Sequence, residues 1–136
     1  MTIDSGKFYA SRVLLFLACV LVILTGLALR RYGYAIGLTF PVVKYGGSVL
    51  WGAMAYLLIA TLLARHRTHC FVVVTACCIA IAVELFRLVH FPALDAFRDT
   101  AAGTLLLGRV FSLWNIVCYL TGIVVAARIM RWFVRH

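Results

Sequence analysis

Acidic side chains and proline are both scarce in this sequence. Its 136 residues include only four Asp or Glu and two prolines; charged residues of both signs make up 12% of the chain, against 65% hydrophobic residues. A soluble globule of this size has no interior large enough to bury so much apolar surface. The composition therefore excludes a soluble domain and indicates a membrane protein.

Motifs for metal binding and for familiar catalytic chemistry are missing as well. The five cysteines contain no Cys-x-x-Cys pair, so neither a zinc site nor a redox pair is indicated. The sequence has no His-Glu-x-x-His, Gly-x-Ser-x-Gly, Ser-x-x-Lys or glycine-rich phosphate loop. We therefore predict no metal and no cofactor, and enzymatic chemistry is left open without a motif to support it.

What the chain does contain is long apolar runs, each near the roughly 20 residues that cross a bilayer as a helix. They predict one all-α transmembrane domain over residues 1–136, an integral membrane four-helix bundle. The predicted spans are about 13–29, 46–64, 70–89 and 110–127. Pro41 and neighbouring glycines favour a loop before the second span. The polar return, residues 92–108, is predicted to hold a short helix that is interfacial or re-entrant.

Basic residues dominate the charge, with a net charge of +9. They flank the apolar runs, as residues that set orientation and contact anionic headgroups do, so we expect membrane lipids and not nucleic acid as partners. With Arg87 left out as intramembrane, seven Lys or Arg fall on the side of the two termini and five on the other side. This bias predicts that both termini are cytoplasmic.

The most informative stretch is the end of the third run, where Glu84 and Arg87 follow an unbroken apolar segment. An ionisable side chain inside the hydrocarbon is costly unless it is partnered, which makes both residues functional candidates. Asn115 lies at a matching depth on the fourth span, about 7.5 Å below its end, at 1.5 Å of rise per residue. It heads a stripe with Tyr119 and Gly122 that we expect to face Glu84 and a Ser48–Gly52 stripe on the second span.

Several residues near the return extend this candidate site. Asp95 and Arg98 have a spacing that allows pairing on one helix face, with a solvated helix as the simpler alternative. Guanidinium groups bind phosphate oxygens in a bidentate manner, so the basic residues on this side predict a rim for an anionic headgroup. The predicted ligand-binding residues are Glu84, Arg87, Asp95, Arg98, Arg109, Asn115 and Tyr119, with Arg30, Arg31 and Lys44 as the basic rim.

Five sequence blocks, taken in order, resemble a small bacterial membrane family catalogued as domain of unknown function 2809 and related to the VanZ-like proteins. The blocks are Lys44-Tyr-Gly-Gly-Ser-Val-Leu-Trp51, Glu84-Leu-Phe-Arg-Leu, Leu94-Asp-Ala-Phe-Arg-Asp-Thr100, Leu106-Leu-Gly-Arg-Val-Phe111 and Asn115-Ile-Val-Cys-Tyr119-Leu-Thr-Gly122. The resemblance covers most of the chain.

This resemblance implies a four-span inner-membrane protein whose marked residues fall on Glu84, Asp95, Arg98 and Asn115. The chain departs from the family pattern at Ser48 and at Asn115, where an acid is more usual, which argues against carboxylate-dependent chemistry. VanZ-like relatives are associated with low-level glycopeptide antibiotic resistance, so the resemblance also implies a cell-envelope setting.

Three functions are compatible with these features. The leading interpretation is a binding or accessory protein of the bacterial inner membrane with an outward-facing polar pocket for an anionic lipid or lipid-linked cell-envelope intermediate. The second is a small intramembrane enzyme with Glu84 or Asp95 as general base and His90 assisting. The third is a purely structural bundle in which the polar stripe mediates helix contacts, with a homo-oligomer left open.

Overall fold

A computed structural model describes the backbone of residues 5–63, 69–107 and 110–135, and the side chains of these residues except 5–11, 105–106 and 134–135. This part of the chain is helical and contains no strand. Its helices are α1 Ser5–Tyr32, α2 Phe40–Leu63, α3 His69–Phe86, α4 Pro92–Arg98, α5 Ala101–Leu106 and α6 Leu113–Arg135.

Four of these helices are long and apolar enough to cross a membrane. The spans are Arg12–Tyr32, Phe40–Leu63, His69–Phe86 and Leu113–Phe133. Hydrocarbon-facing side chains replace the usual polar surface, so large apolar residues such as Phe16, Leu62 and Trp114 are exposed. The prediction of an all-α membrane bundle is confirmed.

The second span begins six residues earlier than the sequence suggests, at Phe40 instead of residue 46. Pro41 favours a loop from sequence alone, yet it lies in the first turn of α2, where a helix does not use the missing N–H. The sharp turn before α2 is instead made at Gly37, whose φ of +85° is strained for other residue types.

The third and fourth spans also have adjusted ends. α3 ends at Phe86, and residues up to Val89 continue as a tight turn with backbone hydrogen bonds such as Val89 N to Phe86 O at 3.1 Å. α6 begins at Leu113, three residues later than expected. The return holds two short helices, α4 and α5, in place of the single predicted one, and Thr100 caps α5 by accepting a hydrogen bond from Gly103 N at 3.0 Å.

Helix α2 lies at the centre, because α1, α3 and α6 all pack against it; α1 packs mainly on α2. The α2–α6 contact brings the two backbones together. A Cβ added to Gly52 would collide with the Tyr119 backbone oxygen, and one added to Gly122 would collide with that of Val49. Two glycines on facing helices therefore let the backbones touch, as small residues do in membrane bundles.

The two ends of the bundle can be told apart by contacts between helix ends. Arg12 near the start of α1 donates to Thr61 O at the end of α2, and Tyr56 on α2 lies within 3.5 Å of His69 at the start of α3. We name this the terminal end, because the chain enters and leaves the bundle there. The ends of α1 and α3, the starts of α2 and α6, and the return form the opposite end.

Candidate functional site

Glu84 is the centre of a polar network at the opposite end of the bundle. Its side chain is 0% exposed. Its Oε1 accepts hydrogen bonds from Ser112 N at 2.8 Å, Asn115 Nδ2 at 3.2 Å and Arg87 Nη1 at 3.1 Å. Its Oε2 lies 2.8 Å from the same Arg87 Nη1, so the carboxylate is ion-paired on its own helix and hydrogen-bonded to the start of α6.

Arg87 ties the end of α3 to both the return and α6. It is 8% exposed, and its Nη2 donates to the Tyr119 hydroxyl at 2.8 Å. Its Nε donates to Leu107 O, and its Nη1 lies 3.3 Å from Val110 O. Arg87 uses all three nitrogens of its guanidinium to reach acceptors on different segments, whereas a Lys would present its donors on a single nitrogen.

The second span joins the network through one hydroxyl. Ser48 Oγ lies 3.3 Å from Asn115 Oδ1 and 3.1 Å from Lys44 O on its own helix. The predicted facing of the α2, α3 and α6 stripes is therefore present. Ser48 and Asn115, on facing helices, therefore contact each other directly.

A cavity of about 430 Å³, which we name the cavity above Glu84, opens beside this network, between the end of α1, the start of α2 and the start of α6. The charged residues that line it are cations: Arg30, Lys44 and Arg87. None of its described lining residues is an acid. Glu84 is fully buried, and its ion-pair partner Arg87 lines the cavity in its place. The full lining is Arg30, Tyr34, Phe40, Val43, Lys44, Ser48, Trp51, Arg87, Thr104, Val110, Asn115 and Tyr119.

Trp51 is a lining residue that sequence reasoning missed as a site candidate. Its ring lies 4.7 Å from that of Tyr119, centroid to centroid, and its Nε1 is buried without a hydrogen-bond partner among the described residues. A buried indole N–H normally finds an acceptor. The available signal was its position three residues after Ser48, on the same helix face.

Arg98, predicted as a ligand-binding residue, lies away from the cavity. Its side chain is buried, and its guanidinium donates to Phe86 O and to Val89 O, each at 2.7 Å. Those carbonyls belong to the end of α3, where backbone acceptors lose their helical partners. Arg98 therefore caps the C-terminal end of α3 and links α4 to it. Arg98 does not line the cavity.

None of the remaining predicted residues that the structure describes lines the cavity. Asp95 is 3.3 Å from Arg98 Nη1, with a side chain 44% exposed, and it does not line the cavity. Arg31 is exposed and lies 5.9 Å from the Tyr32 ring centroid, also outside the cavity lining. His90 is exposed, with Nδ1 3.1 Å from Leu88 O. Arg109 falls outside the described residues.

Comparison with known proteins identifies the chain at the family level. The family model described as "Protein of unknown function (DUF2809)" matches residues 38–123, more than half of the sequence. The chain belongs to the DUF2809 family. Searches of curated proteins and of solved structures find no match.

The DUF2809 match defines which part of the site belongs to the family region. Every residue of the polar network from Ser48 to Tyr119 lies inside it, as does Lys44. Helix α1 lies outside the matched range, so Arg30 is a contribution from beyond the DUF2809 region.

Proposed function

We propose that this DUF2809 protein is a membrane binding or accessory protein that holds an anionic amphiphile, either a lipid or a lipid-linked cell-envelope intermediate, in the cavity above Glu84. The observation that carries the proposal is the charge of the lining: three cations and, among the described residues, no acid. Glu84 already neutralises Arg87. Arg30 and Lys44 remain as the surplus positive charge that an anionic headgroup would balance.

The size and polarity of the cavity suit a headgroup. Its volume of about 430 Å³ lies within the usual range for small-molecule sites. The hydroxyls of Tyr34 and Thr104 can donate hydrogen bonds to a phosphate, and the rings of Phe40 and Trp51 supply apolar walls beside it. A substrate as small as inorganic phosphate would leave most of this lining unused.

A smaller apolar cavity supports the amphiphilic part of the proposal. It has a volume of about 80 Å³, lies between α1 and α2, and shares Arg30 and Trp51 with the larger cavity. Its other lining residues are Val22, Ile23, Gly26, Leu27, Gly47, Leu50 and Met54. We assign it to the first part of an acyl or prenyl chain, whose headgroup lies beyond Arg30.

The geometry favours binding over catalysis. A general base must reach its substrate proton, but Glu84 is fully buried and Oε1 already accepts three hydrogen bonds. His90 donates to or accepts from its own segment and does not line the cavity. An intramembrane enzyme would therefore need groups other than those the sequence suggested.

The proposed setting is the bacterial inner membrane, with both termini in the cytoplasm, so that the cavity faces the outer leaflet. The relation to VanZ-like proteins that the sequence resemblance implies, with their association with glycopeptide resistance, favours cell-envelope lipids as the ligand source. The positive-inside bias of the sequence supports this orientation.

Tryptophan fluorescence can test binding at this cavity. Replacing the exposed Trp114 and Trp132 with Phe leaves Trp51 as the reporter. We expect dihexanoyl phosphatidic acid, added to the detergent-solubilised chain, to change Trp51 emission in a saturable manner. Arg30→Gln and Lys44→Gln should each weaken the response about fivefold, since one cation near an anionic headgroup has an effect of that order.

Arg31→Gln is the matched control, because Arg31 is the next residue on α1 and does not line the cavity. It should titrate like the parent protein, and dihexanoyl phosphatidylcholine should give no saturable change. Equal affinities for the Arg30 and Arg31 variants, or equal responses to both lipids, would overturn the proposal in favour of a structural bundle.

A further inference from the structure

A second cavity lies at the terminal end of the bundle, at the far side of the membrane from Glu84. It has a volume of about 300 Å³ and is formed where the start of α3 meets the last turns of α6. The lining residues are His69, Cys70, Val73, Val124, Ala127, Arg128 and Arg131. It shares no residue with the cavity above Glu84.

Positive charge is concentrated at this cavity, and its lining, as far as the chain is described, contains no acid. Arg128 and Arg131 are one helical turn apart on α6 and both line it. The three acids within the described residues, Glu84, Asp95 and Asp99, all belong to the end of α3 and the return, at the opposite end. Neither arginine can therefore pair with a carboxylate of the described chain.

The start of α3 adds to the same potential. His69 is the first residue of an 18-residue helix, and the N-terminus of a helix carries partial positive charge. The His69 ring is held beside Tyr56, with Nδ1 3.5 Å from the hydroxyl and the rings edge to face. Backbone dipole and guanidinium groups thus act on the same space from two helices.

The position of the cavity matches the depth of lipid headgroups. Val73, Val124 and Ala127 form its apolar wall towards the bundle middle. Trp132 and Phe133 follow on α6, both exposed and with ring centroids 5.1 Å apart, as aromatic residues at a membrane interface are. The arginines and the apolar wall together suit a ligand that is anionic at one end and apolar at the other.

We propose that this cavity binds the phosphate headgroup of an anionic phospholipid from the leaflet at the terminal end, with the upper acyl chain against the Val73 and Val124 wall. Basic pockets between transmembrane helices are suited to such headgroups. The site is independent of the ligand held above Glu84, and it anchors α6 to α3 by an electrostatic contact through the lipid.

Protection of Cys70 from alkylation reports on occupancy, because Cys70 is exposed and lines the cavity. The probe is dihexanoyl phosphatidylglycerol, added to the full chain in a neutral detergent. Labelling by a water-soluble maleimide is followed by mass spectrometry on the peptide that contains Cys70. We expect slower labelling as the lipid is added, with half-protection shifted about fivefold by Arg128→Gln and again by Arg131→Gln.

Two variants and two compounds separate the proposal from its alternatives. Arg31→Gln, at the opposite end, should leave protection unchanged, and Val73→Phe, which narrows the apolar part of the cavity but keeps both arginines, should weaken the lipid-dependent part. Glycerol phosphate without acyl chains and dihexanoyl phosphatidylcholine should protect weakly or not at all. Equal protection by either compound, or protection that survives removal of both arginines, would overturn the proposal.

Discussion

At the residue scale, the Glu84–Arg87 pair decides how the end of α3 is built. Both side chains are almost fully buried, and together they join α3, the return and α6. Removing one partner of a buried pair leaves an uncompensated charge, whereas removing both relieves it. Stability should therefore depend on the pair as a unit and not on either residue alone.

We expect Glu84→Gln to destabilise the folded chain by about 3–5 kcal/mol, because Arg87 keeps its charge in a buried site. The double variant Glu84→Gln, Arg87→Met should lose less than the sum of the two single variants. Thermal unfolding in one detergent, followed by intrinsic fluorescence, measures all three. Additivity of the two losses to within about 0.5 kcal/mol would show that the residues act independently.

The sequence predicts this pair from spacing and depth, together with Asn115 and Tyr119 across from it. It does not predict that Arg87 binds the carbonyls of Leu107 and Val110, or that Arg98 binds those of Phe86 and Val89. Every residue has a backbone carbonyl, so the residue type at the acceptor position does not indicate that such a hydrogen bond forms. Sequence reasoning therefore assigns Arg98 to the ligand site, although its Nη1 and Nη2 donors are used within the fold.

At the element scale, contact between α2 and α6 depends on the absence of two side chains. Gly52→Ala and Gly122→Ala each add a methyl group against backbone that cannot move aside as a flexible side chain can. We expect either change to push the helices apart and lower the thermal unfolding midpoint.

Gly26→Ala is the matched control for these variants. Its added Cβ would meet Leu50 Cβ at 3.9 Å, an ordinary contact, and alanine raises helix propensity by up to about 1 kcal/mol. The control should be neutral or slightly stabilising. Similar losses in all three variants would show that the close α2–α6 approach is not what the glycines provide.

Docking of the return depends on Arg98, a second prediction at this scale. Arg98→Met should free the end of α3 and α4, because the carbonyls of Phe86 and Val89 lose their donor. Amide hydrogen exchange over residues 86–104 should accelerate. Asp95→Asn serves as the control and should change exchange little, since an ion pair with a 44% exposed partner is weak.

Helix boundaries show which element-level features a sequence carries. Apolar run length locates all four spans, because the hydrocarbon thickness imposes it. The sequence places the start of α2 too late, because a proline among glycines is typical of a loop. Only the geometry shows that Gly37 makes the turn and leaves Pro41 inside the first helical turn.

At the scale of the whole molecule, the four spans place the two cavities at opposite membrane surfaces. This arrangement can be tested with two variants that each contain a single cysteine. In the first, all native cysteines are replaced and Ile36→Cys reports on the turn before α2. In the second, only the native Cys70 remains, and it reports on the terminal end. Both positions are exposed.

We expect a membrane-impermeant maleimide to label the Ile36→Cys variant in intact bacterial cells, and to label Cys70 only after the cells are opened. The reverse pattern would invert the orientation. Labelling of both proteins from outside would refute the number of crossings.

The class of fold can be predicted from composition alone. The cavities cannot, because they depend on the spacing between helix ends. Arg30 and Lys44 are recognisable as a basic rim from their place beside apolar runs. Arg31 has the same place in the sequence, yet its position on α1 directs it away from the lining. Rotation about a helix axis, one residue to the next, separates these two neighbouring arginines.

The peripheral position of α1 has a consequence for how the bilayer acts on this protein. Its apolar span is 21 residues long, as is that of α6, against 24 residues for α2 and 18 for α3. In a thin bilayer the longer spans must tilt, and α1, which packs mainly on α2, can tilt with little effect on α3 or α6. Arg30 lies on α1, so tilting this helix would change the distance between the Arg30 guanidinium and Lys44. The thickness of the hydrocarbon layer is therefore expected to change the affinity for the headgroup.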